Sequence, residues 1–338
     1  MKITTLGIDL AKDVFQLHGV DRHGKIVLQK KLGRKQLPLF LAQLPPCLIG
    51  MEACAGSHYW AWRFQGMGHT VRLMHARYVK PYVKTNKNDA QDAEAICEAV
   101  TRPHMRFVPM KTVEQQELSA LLTVRSLLVR QRTALVNQIR GLFGELGIVF
   151  PKKAERVLPK LAELLDPDDP VLTPFSKETF RGLRDDLDAL TARIGTLDRT
   201  VERLARTHPL ARRVQAVPGI GPLSAVALIA LLPEASYFDN SRHLAAWLGL
   251  VPRQHSSGGK SALGRISKRG NTMLRTLLIH GARSVLRTAD RRTDALGVWI
   301  RKLKTTRGTN KAAVALAHKN ARIVWALLSR EVEYTRPA

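Results

Sequence analysis

From the third residue onward, apolar positions come in short runs broken by turn residues. ITTLGIDL (3–10), VFQLHGVD (14–21) and KIVLQK (25–30) each have the length and patterning of a strand. A short turn separates the first two, and Asp21-Arg22-His23-Gly24 separates the next two. The segment therefore predicts three sequential antiparallel strands joined by hairpins. Helix-period and strand-like segments then alternate: a helix over 35–44, the strand CLIGMEA at 47–53, a helix over 58–67, the strand TVRLMHA at 70–76, and a helix from about Asp89 to Ala99. Strands in this order with interleaved helices predict an α/β domain on a mixed sheet.

The period then changes. Leu121, Leu128, Leu135 and Leu142 recur every seven residues, with Leu118 and Ile139 nearby. A second run, Phe180, Leu183, Leu187, Leu190, Ile194, Leu197, Val201 and Leu204, alternates steps of three and four with charged residues between. Such a narrow apolar seam specifies a long helix that must pair with another. Pro151 to Pro174, with LLDPDDP inside, reads as the turn between the two arms. The arms can pack on each other within one chain or form an intermolecular coiled coil. His208-Pro209 closes the second arm, and a compact helical region rich in small residues and Arg begins near Arg212. Pro252 to Arg269 is read as an irregular glycine-rich insert, and a last helix is expected over about 311–328. The resulting division is 1–105, an α/β domain; 106–208, a helical coiled-coil linker or oligomerisation segment; and 209–338, a mainly helical C-terminal domain.

Charge changes the picture. The 338 residues carry 54 Lys and Arg against 28 Asp and Glu, a net +26, while 45% hydrophobic residues supply ample core. A packed protein with this charge is suited to a polyanion, nucleic acid being the commonest, and is not a disordered basic tail. The charge concentrates towards the C-terminus: residues 212–292 hold 13 basic and 3 acidic side chains. Three cysteines (Cys47, Cys54, Cys97) without a C-x-x-C pair predict neither a disulfide framework nor a zinc site. No signal peptide is read at the start, and the longest apolar stretch, Ala225 to Leu232, is too short for a bilayer. A cytoplasmic, nucleoid-associated protein is expected.

The chemistry is carried by acids. Asp9 ends the strand LGID and Glu52 ends LIGME, where turn or apolar residues would be ordinary. Asp89 and Asp92 stand at i and i+3 at a helix start in NKNDAQDAEAI, so they share one face. A helix docked beside the central strands brings all four together. Converging carboxylates repel unless cations lie between them, and oxygen ligands favour Mg²⁺, or Mn²⁺ as a substitute, over zinc. Two such ions catalyse phosphoryl transfer. A GID strand followed by a hairpin also opens the sugar-kinase and actin-like ATPases. Their second phosphate segment is missing here, and no G-x-x-x-x-G-K-[ST] is present.

Two further segments bear on nucleic acid. Ala216-Val217-Pro218-Gly219-Ile220-Gly221-Pro222 is a helix, tight turn, helix signal of helix-hairpin-helix type, whose Pro218, Gly219 and Gly221 would set turn amides against a backbone phosphate. The insert then places Ser256, Ser257, Ser261 and Ser267 among Arg253, Lys260, Arg265, Lys268 and Arg269, with Arg275 just beyond. A serine hydroxyl is weak unless a base or metal activates it. The insert is either a nucleophile carrier, with His255 a candidate helper, or a plain phosphate clamp.

Taken together, GIDLAK, MEACAG, KNDAQDAEAI, VPGIGPLSA and WLGLVPRQHSSGGKSALGRISKRGN-x-x-LR resemble the bacterial insertion-sequence transposases of the DEDD class, the bridge-RNA- or seekRNA-guided serine recombinases. The resemblance runs through essentially the whole chain in the family's order. It implies a RuvC-like, ribonuclease-H-type domain, a coiled-coil linker and a C-terminal transposase domain. It implies that Asp9, Glu52, Asp89 and Asp92 bind two Mg²⁺ ions and that Ser257 becomes covalently joined to DNA, with Ser256 the weaker candidate. It further implies double-stranded DNA and a structured guide RNA as partners, and a homodimer or homotetramer in which tetrad and serine meet across subunits. Two rivals stand beside this reading. One is a RuvC-like, structure-selective endonuclease in which metal-activated water attacks and Ser257 only grips phosphate. The other is a non-catalytic DNA- or RNA-binding protein.

Overall fold

A computed structural model describes residues 2–84 and 88–335. The chain divides into two compact units, meeting in sequence between Thr112 and Val113.

In the first unit, β1 (Thr5–Leu10), β2 (Val14–Val20) and β3 (Ile26–Gly33) form the expected meander, followed by α1 (Gln36–Ala42), β4 (Leu48–Glu52), α2 (Ser57–Gln65) and β5 (Thr70–Met74). After the short α3 (Ala76–Val79) come α4 (Asp89–Val100) and a two-residue strand, β6 (Phe107–Val108), which the sequence pattern did not reveal. The sheet order is β3-β2-β1-β4-β5-β6, with β1, β4 and β5 parallel and the other pairings antiparallel. This is the ribonuclease-H-like topology.

Side-chain alternation decides what covers each face. Leu6 and Ile8 of β1 are fully buried in a core shared with Leu37 and Leu41 of α1 and Trp60 and Phe64 of α2. Gly7 faces the other way. A Cβ there would lie 2.2 Å from the Ala93 carbonyl oxygen and 2.5 Å from the Cys97 nitrogen, so α4 lies directly on the β1 backbone. Gly50 stands opposite Gly7 in register, and a Cβ on it would meet Val100 Cβ at 2.8 Å. Two glycines thus form the bed of α4.

In the second unit, α5 (Val113–Glu145) and α7 (Pro174–Thr207) are the long arms, packed together antiparallel within the chain. Leu118 and Leu122 of α5 share a core with Val201 and Ala205 of α7, and Val136, Ile139 and Phe143 share another with Leu187. Arg125 pairs with Asp198 between them. The connection read as a turn contains a further helix, α6 (Val157–Leu164), whose Val157, Leu161 and Leu164 plug the second core. Lys177 closes the LLDPDDP loop: 6% exposed, it donates to the carbonyl oxygens of Asp166, Pro167 and Asp169.

The remaining elements are α8 (Pro209–Gln215), α9 (Pro222–Leu231), α10 (Ser241–Trp247), β7 (Pro252–Ser257), β8 (Lys260–Ile266), α11 (Thr272–Arg287), α12 (Ala295–Arg307) and α13 (Thr309–Ser329). One core, containing Leu228 of α9, Leu278 of α11, Ile300 of α12 and Leu316 of α13, joins the helices among them to the ends of both arms. The glycine-rich insert is not irregular: β7 and β8 pair as an antiparallel hairpin. The sequence hides it because neither strand has an apolar face to alternate with. No described helix is long and apolar enough to cross a membrane.

Candidate active site

Asp9 and Glu52 have the same parity as Gly7 and Gly50, two residues further along the parallel pair, so both project on the α4 side of the sheet. Asp89 and Asp92 lie in the first turn of α4, whose start is fixed by Asn88 accepting a hydrogen bond from the Ala90 amide. The glycine bed sets this helix so that its amino end meets the carboxyl end of β1. Carboxylate oxygens of Asp9, Asp89 and Asp92 all lie within 4.8 Å of one another. Asp9 and Asp92 are half-buried and Asp89 is exposed. Glu52 lies on the neighbouring strand end, outside the group that closes to that distance.

Three anionic oxygens at this spacing repel strongly in a partly dehydrated site. A hard divalent cation with oxygen ligands relieves the repulsion, and the donor set is carboxylate throughout. The three residues therefore fit Mg²⁺. Cys54, two residues beyond Glu52, senses the same field. It is exposed, yet its thiol is pushed up, first by lost hydration and then by the charges of Glu52 and Asp9.

The serine candidates sit on the β7–β8 hairpin. Its tip is Gly258-Gly259 with φ of +54° and +77°, both in the left-handed region that a two-residue hairpin turn of this kind requires. Ser257 pairs with Lys260 immediately before the tip. It is exposed, as are Arg253, Lys260, Arg265, Lys268 and Arg269. Ser256 points to the opposite face, where its hydroxyl accepts a hydrogen bond from Gln254 Nε2 at 2.7 Å. His255 shares the Ser257 face by alternation.

Arg275 departs from expectation. It is 7% exposed, and its guanidinium donates to the Leu248 and Arg269 carbonyl oxygens at 3.2 and 2.8 Å and to Thr272 Oγ1. Those bonds tie together the two stems of the hairpin, so Arg275 is a strut inside the fold and not a contact for phosphate. Gly249 and Gly270 tighten the same joint. A Cβ on Gly270 would come within 1.8 Å of the Trp247 carbonyl oxygen, and one on Gly249 within 2.1 Å of that of Arg269. Sequence reasoning passed over both glycines; their flanking of the insert was the available signal.

The Pro218–Gly221 turn is held from behind. Gly219 has φ +92°, Gly281 of α11 packs against its backbone, and the buried Asn320 of α13 donates to the Pro218 carbonyl oxygen at 2.8 Å. Gly221 is exposed at the start of α9, whose first turn has no side-chain cap.

A ribonuclease-H-like sheet with clustered acids at the end of its central strand defines the class: enzymes that act on phosphodiesters with carboxylate-bound metal. Comparison with known proteins narrows it. The family profile described as "Transposase IS116/IS110/IS902 family" matches residues 211–296, and a DEDD-type IS110 profile described as "Transposase" matches residues 6–148. A probable family 20 transposase of Pseudomonas aeruginosa is 52% identical over 99% of this chain and 99% of its own length. The transposase for insertion sequence element IS1111A of Coxiella burnetii is 46% identical, covering 98% of this chain and 91% of its own. That for IS1328 of Yersinia enterocolitica is 39% identical over 99% of both. The chain belongs to the IS110/IS902 family of bacterial insertion-sequence transposases and is a DNA-recombining enzyme of a mobile element.

Proposed function

We propose that this transposase cuts and rejoins DNA through a covalent phosphoserine intermediate on Ser257, with divalent metal held by Asp9, Asp89, Asp92 and Glu52, and that an element-encoded structured RNA chooses the DNA. The observation that carries the reading is the convergence of Asp9, Asp89 and Asp92 to within 4.8 Å at the carboxyl end of the central strand. Its projection from the neighbouring strand end on the same face supports counting Glu52 with them.

Bound Mg²⁺ would polarise the scissile phosphodiester and stabilise charge on its oxygens. The protein's own groups do the rest. Asp9 and Asp92, half-buried on rigid elements, would hold that ion in a fixed place and with it the phosphate, which favours reaction by positioning. Ser257 Oγ attacks phosphorus. A bond from serine oxygen to the 5′-phosphate forms, and the bond to the 3′-oxygen of the leaving strand breaks. The serine proton passes to a base, for which His255 on the same hairpin face is the candidate, and the departing 3′-oxygen takes up a proton. Attack by the 3′-hydroxyl of a second strand reverses these changes and frees the serine. One phosphodiester is exchanged for another, so no nucleotide hydrolysis is needed.

Arg253, Lys260, Arg265, Lys268 and Arg269 supply non-specific grip, and base pairing with the guide supplies sequence choice. The turn at Pro218, Gly219 and Gly221 adds a backbone contact of helix-hairpin-helix type through the exposed amide end of α9. We assign residues 1–105 to the nuclease domain, 106–208 to a coiled-coil linker that supports a dimer or tetramer, and 209–338 to the transposase domain. The working place is the nucleoid.

The test is a labelled DNA carrying the element junction, incubated with protein, guide RNA and Mg²⁺, then denatured and resolved. Wild type should yield a protease-sensitive adduct mapping to Ser257, and Ser257→Ala should yield neither adduct nor cut. Cutting that persists in Ser257→Ala would sink the covalent mechanism in favour of metal-activated water.

A further inference from the structure

A cleft in the first unit serves neither the acids nor the serine. It has a volume of about 430 Å³, within the range of small-molecule sites, and lies where the α3 segment meets the loop after α4. Tyr78, Tyr82, Pro103 and Met105 supply apolar and aromatic walls, and Arg102 and Arg106 stand at its rim. Arg102 is about 20 Å from Asp89 along α4 and its exit, at 1.5 Å per helical residue. None of its lining residues is one of the clustered acids Asp9, Asp89 and Asp92.

Its walls are part core and part surface. Tyr82 is half-buried and packs, like Met105, against the buried cluster of Met74, Ile96 and Val100, whereas Tyr78 is 39% exposed with its ring edge-on to His75. The Arg102 guanidinium lies 5.7 Å from the Tyr82 ring centroid and is held there by Glu98 at 2.5 Å. This pair keeps one ring standing with a cation on it. Cations outnumber acids around it: segment 76–84 contributes Arg77, Lys80 and Lys84 and segment 101–106 contributes Arg102 and Arg106, while the acids are Glu94 and Glu98 of α4, which pair with Lys84 and Arg102. Among the described residues, no carboxylate pairs with Arg77, Lys80 or Arg106. A part-exposed aromatic wall beside cations that no acid pairs is what stacked bases on a charged backbone require.

We infer that this cleft receives an unpaired nucleobase of a single-stranded nucleic acid, stacked on Tyr82 and Tyr78, with the flanking phosphates on Arg77, Lys80 and Arg106. The site needs no recombination chemistry, so it stands or falls apart from the reading of Ser257.

The test measures binding of full-length protein to labelled single strands of about twelve nucleotides, ribo and deoxy, and to a duplex of equal length, across a salt series. Tyr82→Ala and Tyr78→Ala should each weaken single-strand binding by roughly 5- to 100-fold while leaving duplex binding and the salt slope unchanged. Tyr82→Phe keeps the ring and should bind like wild type, which separates stacking from a folding defect. Arg106→Gln should lower the salt slope by about one. Tighter binding of the ribo strand would assign the cleft to RNA, and tighter binding of the deoxy strand to an unpaired DNA strand; either supports the site. Alanine variants with native circular dichroism that bind single strands as tightly as wild type would overturn it. So would an equal loss of single-strand and duplex binding.

Discussion

At the scale of single residues, the arrangement separates groups that make the chemistry from groups that hold the fold. Asp9→Asn removes one charge from a three-oxygen cluster but keeps the side chain's shape, so the sheet should form normally. DNA cleavage should fall by at least ~100-fold while DNA binding stays near wild type, since the basic residues that supply affinity are elsewhere. Gel-shift and cleavage assays on the same preparation check this, and full-rate cleavage would remove Asp9 from the site. His18 gives a second prediction. It is 3% exposed on β2, its Nδ1 has no hydrogen-bond partner among the described residues, and burial holds its pKa below the ordinary 6.5, with Glu94 opposing and Lys84 assisting. A buried neutral imidazole binds fewer protons folded than unfolded below that value. Its contribution is therefore intact above pH 6.5 and is lost as the pH falls from there through the folded pKa. The melting temperature should drop on acidification from neutral towards about pH 5, and drop less in His18→Leu. Parallel curves for the two proteins would show that His18 does not titrate with folding.

At the scale of elements, the position of α4 controls the acids through two glycines. Gly7→Val must push backbone atoms of α4 away from β1, because even a Cβ meets the Ala93 carbonyl at 2.2 Å. Overpacking of this kind costs about 1–3 kcal/mol. The displaced helix start carries Asp89 and Asp92 with it, so cleavage should fall much further than stability. A folded Gly7→Val protein that cuts at the wild-type rate would break the link between bed and site. The serine hairpin has a matching device. Arg275→Met keeps apolar bulk but leaves the Leu248 and Arg269 carbonyls without their donor, at a cost of about 1–3 kcal/mol. Limited proteolysis should then open the 252–269 segment first. The contrast between these elements explains what could be read from sequence. The β1, β2, β4 and β5 strands and α4 have buried faces, so their periodicity announces them, and Asp9 and Glu52 stand out because they end apolar strands. The β7–β8 hairpin is exposed on both faces and has no apolar rhythm, and α6 is concealed among prolines and acids. Arg275 looked like one more cation in a basic stretch, since only contacts distinguish a strut from a phosphate contact.

At the scale of the whole molecule, the proposed reaction needs carboxylates and a serine that belong to different compact units of the chain. In a homodimer, each reactive centre either draws both from one chain or takes the carboxylates of one and the serine of the other. Mixed assemblies of Asp9→Asn and Ser257→Ala chains distinguish the two arrangements. If each centre is made within a chain, both centres of a mixed dimer are dead, because each lacks one component. If centres are shared, one centre of the mixed dimer carries both lesions and the other carries neither. The intact centre uses the acids of the Ser257→Ala chain and the serine of the Asp9→Asn chain. Random pairing then restores about a quarter of the wild-type centres. The family resemblance of the sequence implies the shared arrangement, so the expected outcome is recovery. The DNA adduct should sit only on the Asp9→Asn chain, which a size tag on one of the two proteins reveals in a denaturing gel. Two inactive parents and an inactive mixture, with chain exchange verified by pull-down of the tag, would place serine and acids in the same chain.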